Sequence, residues 1–401
     1  MKLRSIQVLR AVAALLVVAF HISGIQTSAM QESLGAAATF NTWPIIENGY
    51  AGVDLFFVIS GFIMVVVTRA GKRGAGASGL FLASRVMRIY PAWWLFAGAM
   101  TGYMAITYGW VNTGNGGWAD FAGTTSVSEY LVKSFLLIPQ PGFPVLNVGW
   151  TLIHEMYFYL VFALTLLFAR RWLPYMLAIW AGLLVGLSFV DLSTQAGHPF
   201  IKIAVHPMTM EFILGAFAGL AVCSGRRIMP KGVMIVAVVW LVAALVFTLP
   251  PSHPGGEQLG LFTYEGYQIG LHSNLLWSTF VLGWGRVIAF GLPCALLVYA
   301  VANLEVEGQI VIGKPLEMLG DWSYSLYLSH ILVLSALARL LPELTTGPLF
   351  AVIGVPACIL IAAMAYYAFE RPLIAAWSGW RKAHLNGKQT LRPAPMAERI
   401  W

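Results

Sequence analysis

Long apolar runs separated by short polar segments make up most of the chain. Each run holds about 20 residues, the length that an α-helix needs to cross roughly 30 Å of hydrocarbon. Ten runs can be counted, at residues 6–26, 50–68, 89–109, 149–169, 172–190, 207–224, 233–250, 282–304, 322–341 and 349–369. The pattern predicts an all-α integral membrane protein with about ten transmembrane helices.

Composition and charge refine this prediction. Of the 401 residues, 59% are hydrophobic and 10% are charged, and the mean hydropathy is +0.75. A soluble domain carries about a quarter charged residues, so an ordinary soluble fold is excluded. Most of the 24 lysines and arginines fall on one side of the predicted membrane, and the exceptions are Lys133, Lys202, Arg286 and Arg339. The positive-inside rule then places both termini in the cytoplasm.

The net charge of +7 is therefore explained by topology, and we expect no nucleic-acid partner. Residues 1–370 are predicted to form one membrane domain, followed by a short basic cytoplasmic tail at 371–401. The basic N-terminus resembles a signal peptide, but the apolar run after it is long enough to span, so we expect no cleavage. The three cysteines lack metal-ligand spacing, and neither a metal site nor a disulfide is expected.

Ionisable side chains inside the spans are the candidate functional residues, because they are costly in hydrocarbon. Arg10 and His21 are eleven residues apart in the first span, which places them on one helix face about 16 Å apart. A carboxylate or imidazole lies near the outer end of four spans, at His21, Asp54, Glu155 and Glu211. Arginines gather at the cytoplasmic ends, at Arg10, Arg85 and Arg88. The sequence predicts a polar interior in two layers.

Structural alternatives exist for several of these residues. Asp54 and Glu211 could simply hydrogen-bond to neighbouring helices. Arg85 and Arg88 could be topology anchors, since any cytoplasmic span end attracts arginine. His154, next to Glu155 but about 100° round the helix, is interpreted as an interfacial or packing residue.

Several motifs together resemble acyltransferase family 3, the membrane O-acyltransferases of bacterial surface polysaccharides. They are the Arg10/His21 pair, "GVDLFFVISGF", Arg85-x-x-Arg88, "GWTLIHEMYFY" around Glu155, "GDWSYSLYLSH" ending at His330, and "FERP" at 369–372. The resemblance extends from the first span to the tenth. It implies an inner-membrane enzyme that moves an acyl group, usually acetyl, from acyl-coenzyme A to a glycan hydroxyl, with no permanently bound cofactor.

The expected roles combine this resemblance with side-chain chemistry. Arginine matches phosphates with forked donors, so Arg10, Arg85 and Arg88 are expected to bind the donor. Neutral histidine suits general-base catalysis near pH 7, so His21 is the predicted base. Glu155 is expected to orient His21. Supporting roles are predicted for Asp54, Glu211, Ser60 and His330. Transfer could be direct, or could pass through a covalent intermediate on His21 or on a hydroxyl such as Ser60 or Ser325.

The expected partners are acyl-coenzyme A, a polysaccharide or lipid-linked oligosaccharide acceptor, and membrane lipid. The outer loops at 110–128 and 251–275 are candidates for an acceptor-binding surface. The rival interpretation is a proton-coupled transporter or glycolipid flippase, in which buried His, Asp and Glu would form a relay. Against it, the sequence has neither evident inverted repeats nor Gly/Pro-broken spans in matching positions.

Overall fold

A computed structural model describes residues 3–34, 43–109, 126–140, 142–189, 198–248 and 283–385. Regular secondary structure in these ranges is entirely helical, without β-strands. The helices are α1 (Arg4–Leu34), α2 (Pro44–Glu47), α3 (Ala51–Thr68), α4 (Ala75–Tyr108), α5 (Val127–Phe135), α6 (Gly149–Thr165), α7 (Leu173–Leu187), α8 (Pro199–Ala204), α9 (Thr209–Cys223), α10 (Pro230–Phe247), α11 (Leu292–Val306), α12 (Lys314–Leu340), α13 (Pro348–Ala365) and α14 (Arg371–Leu385). The loop at 251–275 and most of the loop at 110–128 lie outside the described residues.

Seven segments of the described ranges are long and apolar enough to cross a membrane. They are Arg4–Leu34, Ala51–Thr68, Pro199–Cys223, Pro230–Phe247, Gly283–Val306, Lys314–Leu340 and Pro348–Arg381. They confirm a multi-pass helical membrane protein. The other predicted spans fall on α4, α6 and α7, of which α6 has 17 residues and α7 has 15. The total of ten spans and the side of the termini therefore stay predictions.

Helix α4 differs from its predicted span. It begins at Ala75 and runs for 34 residues, whereas the apolar run starts only at residue 89. Arg85 lies just before this run, yet its side chain is buried in the bundle at 7% exposure. A polar residue that faces a polar interior does not end a helix, so the run of apolar residues underestimates the length of α4.

Close helix contacts at glycine hold the centre of the bundle together. A Cβ on Gly61 of α3 would overlap the backbone carbonyl of Phe212 in α9, and a Cβ on Gly215 would overlap that of Val58. Small residues let membrane helices approach in this way, because packing and hydrogen bonding drive their association. Helix α1 packs against α3 and α12, so α1, α3, α9 and α12 form a continuous core.

Two π-helical turns interrupt the helices of the described ranges, one at Val287–Gly291 before α11 and one at Tyr366–Glu370 before α14. Such turns are frequent near functional sites. Both turns lie next to buried charges, described below. The helix continues from residue 370 to Leu385, and residues 386–401 lie outside the described part of the chain, so the predicted boundary between domain and tail stays a prediction.

Candidate active site

A buried cavity of about 70 Å³ lies among α1, α3, α4, α6 and α12. Its polar lining consists of Arg10, Ser60, Arg85, Arg88, Thr151, Glu155, Tyr159, Tyr324 and Tyr327. We call it the arginine cavity. A space of this size holds several water molecules or one narrow flexible chain. The structure thus brings the three predicted arginines together around one space.

Glu155 is the central acceptor of the arginine cavity. Its Oε1 accepts a hydrogen bond of 2.8 Å from the Ser60 hydroxyl and another from the Tyr159 hydroxyl. Arg10, 8% exposed, donates from Nη1 to the Gln7 side-chain oxygen at 3.1 Å. Tyr159 lies one helical turn after Glu155, on the same face of α6.

Aromatic rings and a second carboxylate complete the surroundings of the arginines. The guanidinium carbon of Arg85 lies 5.8 Å from the ring centre of Phe81 and 5.9 Å from that of Tyr159, within cation–π range. Glu370 interacts electrostatically with Arg88 and accepts a 2.7 Å hydrogen bond from Ser325. Glu370 is not among the residues predicted from sequence because it follows the end of its apolar run, although its place in "FERP" is a signal that could have identified it.

His21 pairs with His330 rather than with Glu155. Nδ1 of His21 lies 2.9 Å from the Val17 carbonyl and 3.3 Å from Nε2 of His330. Nδ1 of His330 lies 3.2 Å from the Leu326 carbonyl. A carbonyl only accepts, so in the neutral pair both rings carry their proton on Nδ1, and Nε2 of His330 accepts from His21. This arrangement leaves Nε2 of His21 without a hydrogen-bond partner among the described residues.

The expected hydrogen bond between Glu155 and His21 is wrong for this structure. Within the described residues the side-chain partners of Glu155 are Ser60 and Tyr159, and those of His21 are Val17 and His330. Counting residues from the outer span ends placed both groups at one depth. The count fails because helices end at different heights, and Glu155 lies level with the middle of α3, where Ser60 is found.

Tyr327 connects the two polar groups. It lines the arginine cavity, and its ring centre lies 5.8 Å from that of His330. Its hydroxyl is 2.9 Å from the Thr151 hydroxyl. Since Arg10 and His21 lie on one face of α1 about 16 Å apart, the arginine cavity and the histidine pair occupy two levels of the same helix face.

Asp54 belongs to a separate buried ion pair. Arg286 donates from Nε to Oδ1 of Asp54 at 2.8 Å and from Nη2 to Oδ2 at 2.7 Å. Their side chains are 5% and 0% exposed. Glu211, fully buried, interacts electrostatically with both charges and packs against Gly291 of the first π-helical turn. The geometry favours the structural alternative for Asp54, in which it hydrogen-bonds to a neighbouring helix. Its partner Arg286 is one of the few basic residues that the sequence places toward the outer side of the membrane.

His154 lies in the core, away from the histidine pair. Its ring packs near Phe57, Trp150 and His206, and the side chain is 1% exposed. This position agrees with the interpretation of His154 as a packing residue. No group of three or more His, Cys, Asp or Glu within the described residues is arranged to hold a metal ion.

Fold and site together define a multi-pass helical membrane protein with a buried arginine cavity and a neighbouring histidine pair. The chain belongs to acyltransferase family 3, whose model, described as an acyltransferase domain, matches residues 3–367. The protein is therefore an acyltransferase enzyme of the membrane, and the resemblance inferred from the motifs is confirmed.

Two curated relatives cover most of the chain. The exopolysaccharide production protein ExoZ of Rhizobium meliloti (strain 1021) is 30% identical over 338 residues, which are 81% of this chain and 90% of the relative. The acyltransferase MdmB of Streptomyces mycarofaciens is 27% identical over 365 residues, 83% of this chain and 79% of the relative. No solved structure gives a significant match.

Proposed function

We propose that this enzyme moves an acyl group, with acetyl as the preferred choice, from acyl-coenzyme A to a hydroxyl of an exopolysaccharide or another cell-surface glycan. The observation that carries the proposal is the arrangement on α1, with arginines at one level and a free histidine nitrogen about 16 Å away. The printed name of the Rhizobium relative, which refers to exopolysaccharide production, supports the acceptor class. We place the reaction in the bacterial inner membrane with both termini in the cytoplasm, because most basic residues fall on that side.

The donor end of the site is assigned to the arginine cavity. Coenzyme A carries a diphosphate and a 3′-phosphate, and guanidinium groups bind phosphate through two parallel hydrogen bonds. Arg10, Arg85 and Arg88 come from two different helices and line one space. We assign Glu155 a positioning role in the arginine cavity, because both of its side-chain hydrogen bonds are made to residues that line this cavity. The extended pantetheine arm has a length comparable with the distance from Arg10 to His21.

The acyl transfer is assigned to the histidine pair. As the glycan oxygen attacks the thioester carbonyl, Nε2 of His21 takes the hydroxyl proton. The carbon–oxygen bond forms, the carbon–sulfur bond breaks, and the proton passes from Nε2 to the departing thiolate. His330 accepts a hydrogen bond from Nδ1 and so stabilises the imidazolium of His21, the orienting role that Glu155 was expected to fill.

The experiment that tests this function uses the purified enzyme in lipid nanodiscs with radiolabelled acetyl-coenzyme A and a glycan acceptor. His21→Ala should lower transfer by about 10²- to 10⁴-fold, the usual contribution of a general base. His198→Ala is the matched control, because His198 is exposed and lies outside both polar groups. Equal activity of wild type and His21→Ala would refute the assignment of the base.

The donor assignment is tested in the same assay. Arg88→Ala should raise the KM for acetyl-coenzyme A, whereas Arg171→Ala should not, since Arg171 lies outside the arginine cavity. Unchanged donor binding in Arg88→Ala would return this arginine to the role of a topology anchor. Donor consumption without labelled glycan in the wild type would overturn the acceptor class.

A further inference from the structure

A second cavity, of about 880 Å³, lies on the opposite face of α3 from the arginine cavity. Ser60, Ile63 and Met64 line the arginine cavity, whereas Val65 and Arg69 line the second one. The two cavities share no lining residue. We call the second one the basic cavity, and the proposed acyl transfer does not use it.

Four arginines converge on the basic cavity from separate segments of the chain. Arg69 follows the end of α3, Arg73 precedes α4, Arg170 precedes α7 and Arg226 follows α9. A topology signal needs only positive charge near span ends, and it does not require those charges to meet around one space. Their convergence points to a bound anion.

Within the described residues none of the four arginines forms an ion pair with a carboxylate. Arg170 donates from Nη2 to the Gly71 carbonyl at 3.2 Å, and Nε and Nη1 of Arg73 are buried without a hydrogen-bond partner. Burial and the neighbouring Arg170 lower the pKa of Arg73. By contrast, Arg227, next to Arg226, lies 3.7 Å from Glu307. The basic cavity thus holds guanidinium groups whose counter-charge is not supplied by the described part of the chain.

The remaining wall of the basic cavity is apolar. Phe217, Leu220 and Leu296 line it, together with the starts of α7 and α10. Helix α10 is 6% buried over its span and α7 exposes most of its side chains, so both present an apolar surface outward. A ligand with an anionic head and an apolar body matches both halves of this surface.

We propose that the basic cavity binds one anionic phospholipid, with the phosphate among the four arginines and the first part of its acyl chains along α7 and α10. Basic pockets between transmembrane helices on the cytoplasmic side are known to bind lipid head groups of this charge. A free phosphate compound shares the head chemistry but offers nothing to the apolar wall. The bound lipid fills the space between α7 and α10.

The test is native mass spectrometry of the delipidated full-length enzyme titrated with phosphatidylglycerol or phosphatidylcholine. The wild type should retain one phosphatidylglycerol at a concentration at least about tenfold below that needed for phosphatidylcholine. The double variant Arg73→Ala/Arg226→Ala should lose this preference. The matched control, Arg171→Ala/Arg227→Ala, removes the same charge outside the cavity and should keep it.

Equal loss in the two double variants would overturn the site, because it would show a general effect of charge. Leu220→Asp keeps every arginine and places a carboxylate in the apolar wall beside them, so it should also lose the bound lipid, and retention would equally overturn the proposal. Displacement of the lipid by coenzyme A or inorganic phosphate at similar concentrations would assign the cavity to a free phosphate compound instead. The readout is lipid binding, so it is independent of acyl transfer.

Discussion

Removal of the His330 imidazole should slow acyl transfer without weakening donor binding. Nε2 of His330 lies 3.3 Å from Nδ1 of His21, and both rings direct Nδ1 at a backbone carbonyl. His330→Leu removes the acceptor and retains an apolar side chain of similar size. His330→Gln restores an oxygen acceptor close to the position of Nε2. The two variants separate hydrogen bonding from packing.

The magnitude follows from the geometry of the pair. A hydrogen bond to a charged group contributes about 1.5–3 kcal/mol, and His21 is charged only after it has taken the proton. The distance of 3.3 Å is longer than the usual 2.9–3.0 Å, and Nδ1 keeps its 2.9 Å contact with the Val17 carbonyl in the variant. The lower limit therefore applies, and about 1.5 kcal/mol corresponds to roughly a tenfold decrease in kcat.

The assay measures kcat and the KM for acetyl-coenzyme A in nanodiscs with saturating acceptor. His330→Leu should lower kcat about tenfold and leave KM unchanged, because Arg10, at the donor-binding level, is about 16 Å from His21 along α1. His330→Gln should recover most of the rate. His154→Leu is the matched control, because His154 is equally buried but packs against His206 away from this pair.

A wild-type kcat in correctly folded His330→Leu would refute the reasoning. Equal slowing by the Leu and Gln variants would show that ring packing, rather than the acceptor nitrogen, controls the rate. A raised KM with unchanged kcat would place His330 in donor binding.

Two further predictions concern stability. Asp54→Asn should cost about 3–5 kcal/mol of unfolding free energy, since it leaves Arg286 buried without its counter-charge, and the double variant Asp54→Leu/Arg286→Met should recover most of this loss in a denaturant titration in detergent. Gly61→Ala should destabilise the protein by about 1–3 kcal/mol, because the added Cβ overlaps the Phe212 carbonyl, while Gly24→Ala, with open space around it, should not lower the melting temperature.

Contrary results for these variants have clear meanings. An unchanged unfolding free energy in Asp54→Asn would show that the buried arginine finds another acceptor. A melting temperature for Gly61→Ala equal to that of Gly24→Ala would show that α3 and α9 can separate by the width of a methyl group without cost.

The positions of the helices could be predicted from sequence because a helix that crosses the hydrocarbon of a membrane requires a run of about 20 apolar residues. A run of about 20 apolar residues has one explanation in a chain this hydrophobic, so α1, α3 and α12 lie where the pattern places them. Helix α4 extends further toward the N-terminus than its predicted span, and the buried Arg85 lies in this additional part. Hydropathy gives the polarity of each residue but not the direction in which its side chain points. In a hydropathy pattern, a polar residue that faces the interior of the bundle therefore looks like the end of a span.

Pairings between helices could not be predicted for a different reason. Asp54 and Arg286 are 232 positions apart, and no local pattern connects them. Depth counted along each span placed Glu155 beside His21, whereas the structure places it among the arginines. The partner of a membrane carboxylate depends on the tilt of the helices and on the height at which each helix ends, and neither is encoded in the length of an apolar run.

The distance between Arg10 and His21 could be predicted because both residues lie on one helix. Ala13, Ala14 and Val17 lie between them and are at most 1% exposed, so α1 is packed along its length against its neighbours. A packed helix cannot change its rise or rotate about its axis without breaking those contacts. The separation of about 16 Å between the two side chains is therefore set by sequence position and maintained by tertiary packing. In the proposed reaction, a donor held at one end of this spacer would present its far end to His21 without any movement of the backbone, which is the pre-organisation that transfer between two fixed groups requires.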